Sequence, residues 1–184
     1  MSDAMFSFTG IGKTFGAGFT GSRESAVALD GVSGEVTDGE IVGIAGARGT
    51  GKTTLLRIAA GQLRADCGVV RWRGAAHYPP HFTAFVPMDA AMHAFLTVRE
   101  ALRFARVQTE LREAPRRVAE DVWPVRLDLV RRMDARLGEL SLAERRVVAL
   151  AAAMQEAPDL LALDGPLDGL DPAKRQHFLG GTVG

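Results

Sequence analysis

"IVGIAGARGTGKTTLLRIAA", residues Ile41 to Ala60, decides how the rest of this chain is read. Ile41 to Ala45 is a compact apolar strand pattern, a glycine loop follows, and Thr53 to Ala60 has the spacing of a helix that Gly61 terminates. A strand, a loop and a helix in that order give the pattern G-x-x-x-x-G-K-[ST] its physical meaning. Gly46, Gly49 and Gly51 let backbone N–H groups curl around a polyphosphate, and the helix N-terminus adds partial positive charge. Lys52 reaches the outer phosphates, and the Thr53 hydroxyl is placed to ligate Mg²⁺. An ordinary glycine-rich turn would explain the glycines but not a Lys-Thr pair at the start of a helix. The expected contacts to nucleotide phosphates are therefore Gly46, Ala47, Arg48, Gly49, Thr50, Gly51, Lys52, Thr53 and Thr54.

Upstream, Phe6 to Phe15 and Ala26 to Ile44 alternate short apolar segments with Gly, Asp and Ser clusters, which predicts antiparallel strands joined by a loop at Gly16 to Ser25. Downstream, Val69 to Arg73 and Phe82 to Val86 read as short strands. Val98 to Leu111 and Val125 to Leu137 have helical spacing, with breaks at Pro115 and Pro124. Ala143 to Glu156 is a further helix and Leu160 to Leu163 a buried strand. The fold class is α/β, a P-loop NTPase core with an antiparallel β-subdomain and a helical insert. As one domain over 1–184 it divides into a β-rich edge with the first core strand (about 1–45), the P-loop core (46–88), the helical lobe (89–140) and a last segment (141–184).

A chain of 184 residues with 47% hydrophobic content can bury one sizeable core, which argues against intrinsic disorder. Lys plus Arg equals Asp plus Glu at 22 each, so no net charge draws it to nucleic acid. The single cysteine, Cys67, excludes an internal disulfide and fits a reducing compartment. The longest apolar run, Val147 to Met154, is too short to span a bilayer, and the first residues lack a signal-peptide pattern. A cytoplasmic chain is expected, reaching the inner face of the cell membrane through partners.

Several tempting residues carry little. His77 and His81 are separated by Pro79 and Pro80, which forbid the helix that would turn both toward one metal. Arg116-Arg117 and Arg131-Arg132 are interleaved with acids and read as solvated faces. Trp72 and Trp123 read as packing residues.

Leu160 to Asp164 reads as a buried strand delivering a carboxylate to the water shell of a metal, although a strand-end Asp is commonly a turn residue. Other segments fall around it in a telling order: Phe15 in Lys-Thr-Phe-Gly, Phe85-Val-Pro-Met88-Asp, Leu96-Thr-Val-Arg-Glu-Ala-Leu102, Leu140-Ser141-Leu-Ala-Glu144, and Gly169-Leu-Asp171-Pro172. With the phosphate loop, this series resembles the nucleotide-binding domain of ABC (ATP-binding cassette) transporters over nearly the whole chain. The resemblance implies that Phe15 stacks on adenine and that Gly46 to Thr53 is Walker A. Phe85 to Asp89 would be the Q-loop, Leu140 to Glu144 the signature, Leu160 to Asp164 Walker B, and Gly169 to Pro172 the D-loop. The implied cofactors are ATP and Mg²⁺, the latter on Thr53 and Asp164, with Ser141 touching nucleotide across a dimer. The implied partners are a second nucleotide-binding subunit and the transmembrane subunits of a transporter. A small kinase is disfavoured because no acceptor-substrate lid is evident.

The departures from the family pattern fall on the chemistry. Met88 replaces the Q-loop glutamine and offers no amide. Leu142, Ala143 and Glu144 replace the two glycines and glutamine of the signature, placing side chains where the family lets backbone approach the γ-phosphate. Gly165 stands where the Walker B glutamate would polarise water, a role worth about 10² to 10⁴ in rate. The family's switch histidine is not transferred to His177, and Gly181-Thr-Val183 would be no more than the start of the strand that precedes it. That strand normally lies between those of Walker A and Walker B, so the sheet needs a longer chain or another way of being completed. Because one chain carries both the Walker B and signature losses, no pairing gives an undamaged site. Binding with slow or absent hydrolysis is expected, with a non-catalytic, nucleotide-dependent regulatory or interaction protein as the alternative.

Overall fold

The computed structural model describes residues 4–16, 25–76, 83–90, 92–111, 122–155 and 157–166, with side chains placed to 107 in the fourth span. Expectations for the loop within 17–24, for Pro79, Pro80, His77, His81, Phe82, Pro115, Arg116, Arg117, Glu156, the D-loop, His177 and Gly181 to Val183 fall outside these residues. The chain divides into two compact units, Met1–Pro79 and Pro80–Gly184.

In the first unit β1 (Phe6–Phe15) lies between β2 (Ala26–Val36) and β3 (Cys67–Trp72) in an antiparallel sheet of order β2-β1-β3. Phe6 pairs with Val36 on one side and Trp72 on the other, while Phe15 pairs with Ala26. The β1–β2 ladder shifts register between Phe8 and Ile11, and there the Gly10 N–H donates to Ser33 Oγ at 2.9 Å rather than being left unpaired. Helix α1 (Lys52–Ala59) packs Leu55 and Ile58 onto Ile11 and Leu29 of the sheet, all four buried. Burial of each such aliphatic side chain contributes about 1.5–3 kcal/mol relative to exposure.

One expected element is missing. Residues 41–47 carry no strand assignment, and Ile41 is 77% exposed. A run of β-formers becomes a strand only with a neighbour to share its hydrogen bonds. β1, β2 and β3 satisfy one another, and no described segment pairs with 41–45.

In the second unit β4 (Thr83–Val86) and β5 (Leu160–Leu163) pair in parallel, Thr83 against Leu160 and Val86 against Leu163. Helices α2 (Val98–Leu111), α3 (Val122–Arg126) and α4 (Leu142–Met154) complete this unit, with Val98, Leu137, Val148 and Leu150 at the centre of its core. The start of α2 is fixed by a reciprocal cap. Thr97 N–H donates to Glu100 Oε2 at 2.8 Å, and Glu100 N–H donates to Thr97 Oγ1 at 3.2 Å. Acceptance of the Thr97 N–H and hydroxyl holds the Glu100 carboxyl below its usual range.

The expected helix over Val125 to Leu137 is also corrected. Pro124 lies within the first turn of α3, where its missing N–H costs nothing, so the helix begins before it at Val122. Asp128 at φ 53 then ends it in the left-handed region, and short 3-10 turns at Val130–Arg132 and Leu137–Glu139 carry the chain onward.

Candidate functional site

The phosphate loop closes on itself with its own polar groups. Lys52 Nζ donates to the carbonyls of Gly46 (2.9 Å) and Ala47 (2.6 Å), and Thr50 Oγ1 donates to Ala47 O at 2.9 Å. Gly51 leads into α1 at φ 85, and Leu55 N–H donating to Gly51 O at 2.9 Å closes the first turn. That turn contains no acid, so the positive end of the helix dipole and the adjacent ammonium present positive potential to an anion. Residues 46–50 are exposed, Lys52 and Thr54 half-buried and Thr53 exposed at the helix start. A bound triphosphate would take Lys52 from two neutral carbonyls to an ionised oxygen, a stronger hydrogen bond. Phe15 sits half-buried at the end of β1, with Lys13 Nζ 5.8 Å from its ring centroid. Lys13 also pairs with Asp66 at 2.6 Å.

Within the second unit, Asp164 follows β5 directly, and its N–H donates to Val86 O at 3.0 Å, extending the ladder to the metal-ligand candidate. The next residue, Gly165, turns at φ 57. Met88, at the Q-loop position, is 43% exposed, but its carbonyl accepts a 2.8 Å hydrogen bond from Arg146 Nε. Arg146 is only 6% exposed. It lines a cavity of about 10 Å³ with Val86, Leu163, Asp164 and Pro166. Sequence reasoning missed this residue. The signal was a basic side chain two and four positions before Val148 and Leu150, on the side of α4 that is buried.

Ser141 caps α4. Its hydroxyl donates to Glu144 Oε2 at 2.8 Å and accepts from Glu144 N–H at 3.2 Å, while Glu144 Oε2 also takes the Ser141 N–H at 2.9 Å. Arg132 Nη2 lies 3.2 Å from Glu144 Oε1. The Glu144 carboxylate thus holds the N-terminus of α4 with the chain's own negative charge. The phosphate-loop candidates stand together in one unit, and Asp164 and Ser141 belong to the other. No helix among the described residues is long and apolar enough to cross a membrane.

A glycine loop opening a helix with Lys-Thr, beside an antiparallel sheet and in a chain with a parallel strand pair and a helical lobe, defines a P-loop nucleotide-binding protein. The model of the ABC transporter family matches residues 29–168, and the chain belongs to that family. A relative from Halobacterium salinarum, named an ABC transporter ATP-binding protein, is 38% identical over 161 residues, covering 83% of this chain and 68% of its own length. An arabinose import ATP-binding protein of Burkholderia ambifaria is 36% identical over 182 residues, covering 91% of this chain but 34% of its own. The fold is also that of a nucleotide-free ATP-binding cassette from an ABC transporter, with a TM-score of 0.74 at 21% identity over 98% of this chain and 76% of the other. The α/β P-loop core of ABC type, with its antiparallel β-subdomain and helical insert, is therefore the fold of this protein.

Proposed function

We propose that residues 1–184 act as the nucleotide-binding domain of a transporter, holding Mg-ATP with slow or absent hydrolysis. The observation that carries binding is Lys52 at the first residue of α1, its ammonium folded over the loop formed by 46–51. In this reading the loop amides and Lys52 grip the phosphates, and Phe15 supplies a face for the base. The Thr53 hydroxyl in the first unit and the Asp164 carboxylate in the second are each hard oxygen donors of the kind Mg²⁺ takes. Bound Mg²⁺ would neutralise phosphate charge. Work within a transporter is supported by the names of the relatives, an ABC transporter ATP-binding protein and an arabinose import ATP-binding protein; the reading adds transmembrane subunits and a second nucleotide-binding subunit as partners, which would place the chain at the inner face of the cell membrane.

Two features favour weak turnover. At 165 there is no side chain to accept a proton from water, and at 144 a carboxylate already occupies the helix terminus that the family turns toward the γ-phosphate. Calorimetry with Mg-ATP should give a saturable heat, while phosphate release stays near background. Absence of any heat with adenine nucleotides would sink the binding claim, and hydrolysis at ordinary family rates would sink the claim of weak turnover.

Gly165→Glu supplies the missing carboxylate but at a backbone angle that a β-carbon disfavours. The left-handed conformation costs about 1–2 kcal/mol in a non-glycine residue. We expect this variant to melt a few degrees lower and to gain less than about tenfold in turnover, because Glu144 and Met88 are unchanged. A gain near the full 10²- to 10⁴-fold worth of a general base would show instead that the other departures are harmless.

A further inference from the structure

The one buried guanidinium among the described residues that lacks a full set of acceptors stands beside the carboxylate proposed for the metal. Arg146 Nε is satisfied by Met88 O at 2.8 Å, but Nη1 is buried and has no hydrogen-bond partner. An ionised donor cannot be buried this way without an opposite charge close by, since the desolvation of a lone buried cation costs several kcal/mol. Among the residues that line the cavity around it, Val86, Pro87, Leu150, Leu163, Asp164 and Pro166, the acid is Asp164. The cavity that both residues line is about 10 Å³, close to the space of a single water, so the guanidinium and the carboxylate border one small enclosed volume.

We infer that Arg146 is a positioning residue whose buried charge is balanced by Asp164, tying the Q-loop backbone, the signature helix and the strand end of Walker B into one electrostatic unit. The family pattern assigns the link between the Q-loop and this region to an amide at 88. Here Met88 contributes its carbonyl instead, and the guanidinium provides the reach. Asp164 is thereby restrained before any nucleotide arrives. The inference deepens the nucleotide-binding reading, but its test does not need that reading to hold.

The test is a set of melting temperatures on the nucleotide-free chain. Asp164→Asn removes the balancing charge and should lower the melting temperature by several degrees in the native background, by the usual relation between stability and melting temperature. In an Arg146→Met background, where no buried cation remains, the same Asp164→Asn change should cost less than about one degree. In Arg146→Lys, which keeps the charge, the cost should return. Packing alone would not produce that rescue by lysine. Equal costs of Asp164→Asn in the native and Arg146→Met backgrounds, or a rise in melting temperature in the native background, would overturn the inference. Should Arg146→Met not fold, Arg146→Gln is a second neutral background that can still donate to Met88 O. The comparison with Asp164→Asn is read in the same way there. Failure to bind ATP leaves these measurements unaffected, so the two proposals can fail separately.

Discussion

Lys52→Ala should weaken ATP binding by about a hundredfold, the scale of a charge-assisted contact to an ionised phosphate. The same change should leave the nucleotide-free chain within about a degree of its original melting temperature. The separation follows from where the ammonium lies. Its bonds to Gly46 O and Ala47 O are at an exposed loop, so those carbonyls regain water when the side chain is removed, and surface changes of this kind rarely exceed about 0.5 kcal/mol. The bound state has no such substitute. At ATP concentrations near a hundred times Kd, ligand adds about 2.7 kcal/mol to the native state, so the parent should show a rise of several degrees in melting temperature that the variant lacks. A thermal shift titration with and without Mg²⁺ reads both quantities. If the variant keeps the full ATP-induced rise, the loop is not the site.

How much of this was legible in the sequence depends on whether the determinants were local. The loop and its helix were readable because their signals lie within a few residues: glycines, then Lys-Thr, then apolar positions spaced to place Leu55 and Ile58 on one face. The caps Thr97 to Glu100 and Ser141 to Glu144 are likewise closed over three residues, and they start α2 where expected and α4 one residue before the expected Ala143. Ile41 to Ala45 failed because a strand is a property of two segments, and β propensity carries no information about whether the second is at hand. A helix over Val125 to Leu137 opened by a break at Pro124 fails at both ends: Pro124 is harmless in a first turn, and Asp128 can take the left-handed conformation that stops a helix. Arg146 was hidden by its type. An arginine in an amphipathic pattern reads as a solvated charge, and the acceptor of its Nε–H is the carbonyl of Met88, more than fifty residues earlier in the chain.

The second large effect lies at Gly51→Ala, a single methyl group that should cost both fold and ligand. A β-carbon built on Gly51 would sit 2.2 Å from the carbonyl oxygen of Ala28 in β2 and 2.9 Å from Leu29 Cδ2. The first of these is backbone, in β2 at the register shift between the paired residues Val27 and Leu29, and cannot turn aside as a side-chain end could. The residue also lies at φ 85, where any side chain is strained. Backbone strain of about 1–2 kcal/mol and overpacking of about 1–3 kcal/mol act together, and relief requires the loop to lift from β2 and carry the start of α1 with it. Leu29, Leu55 and Ile58 share one buried cluster, so that movement also loosens the contact between helix and sheet. We expect a fall of about 5 °C or more in the melting temperature and a loss of ATP affinity of at least tenfold, measured by calorimetry below the new transition. Gly49→Ala is the internal comparison: its φ of 82 imposes similar strain, but nothing lies within 4 Å of its added carbon. The excess cost at 51 over 49 therefore isolates the contact with β2. If the two variants melt together, close approach of the loop to Ala28 is not what anchors the phosphate site.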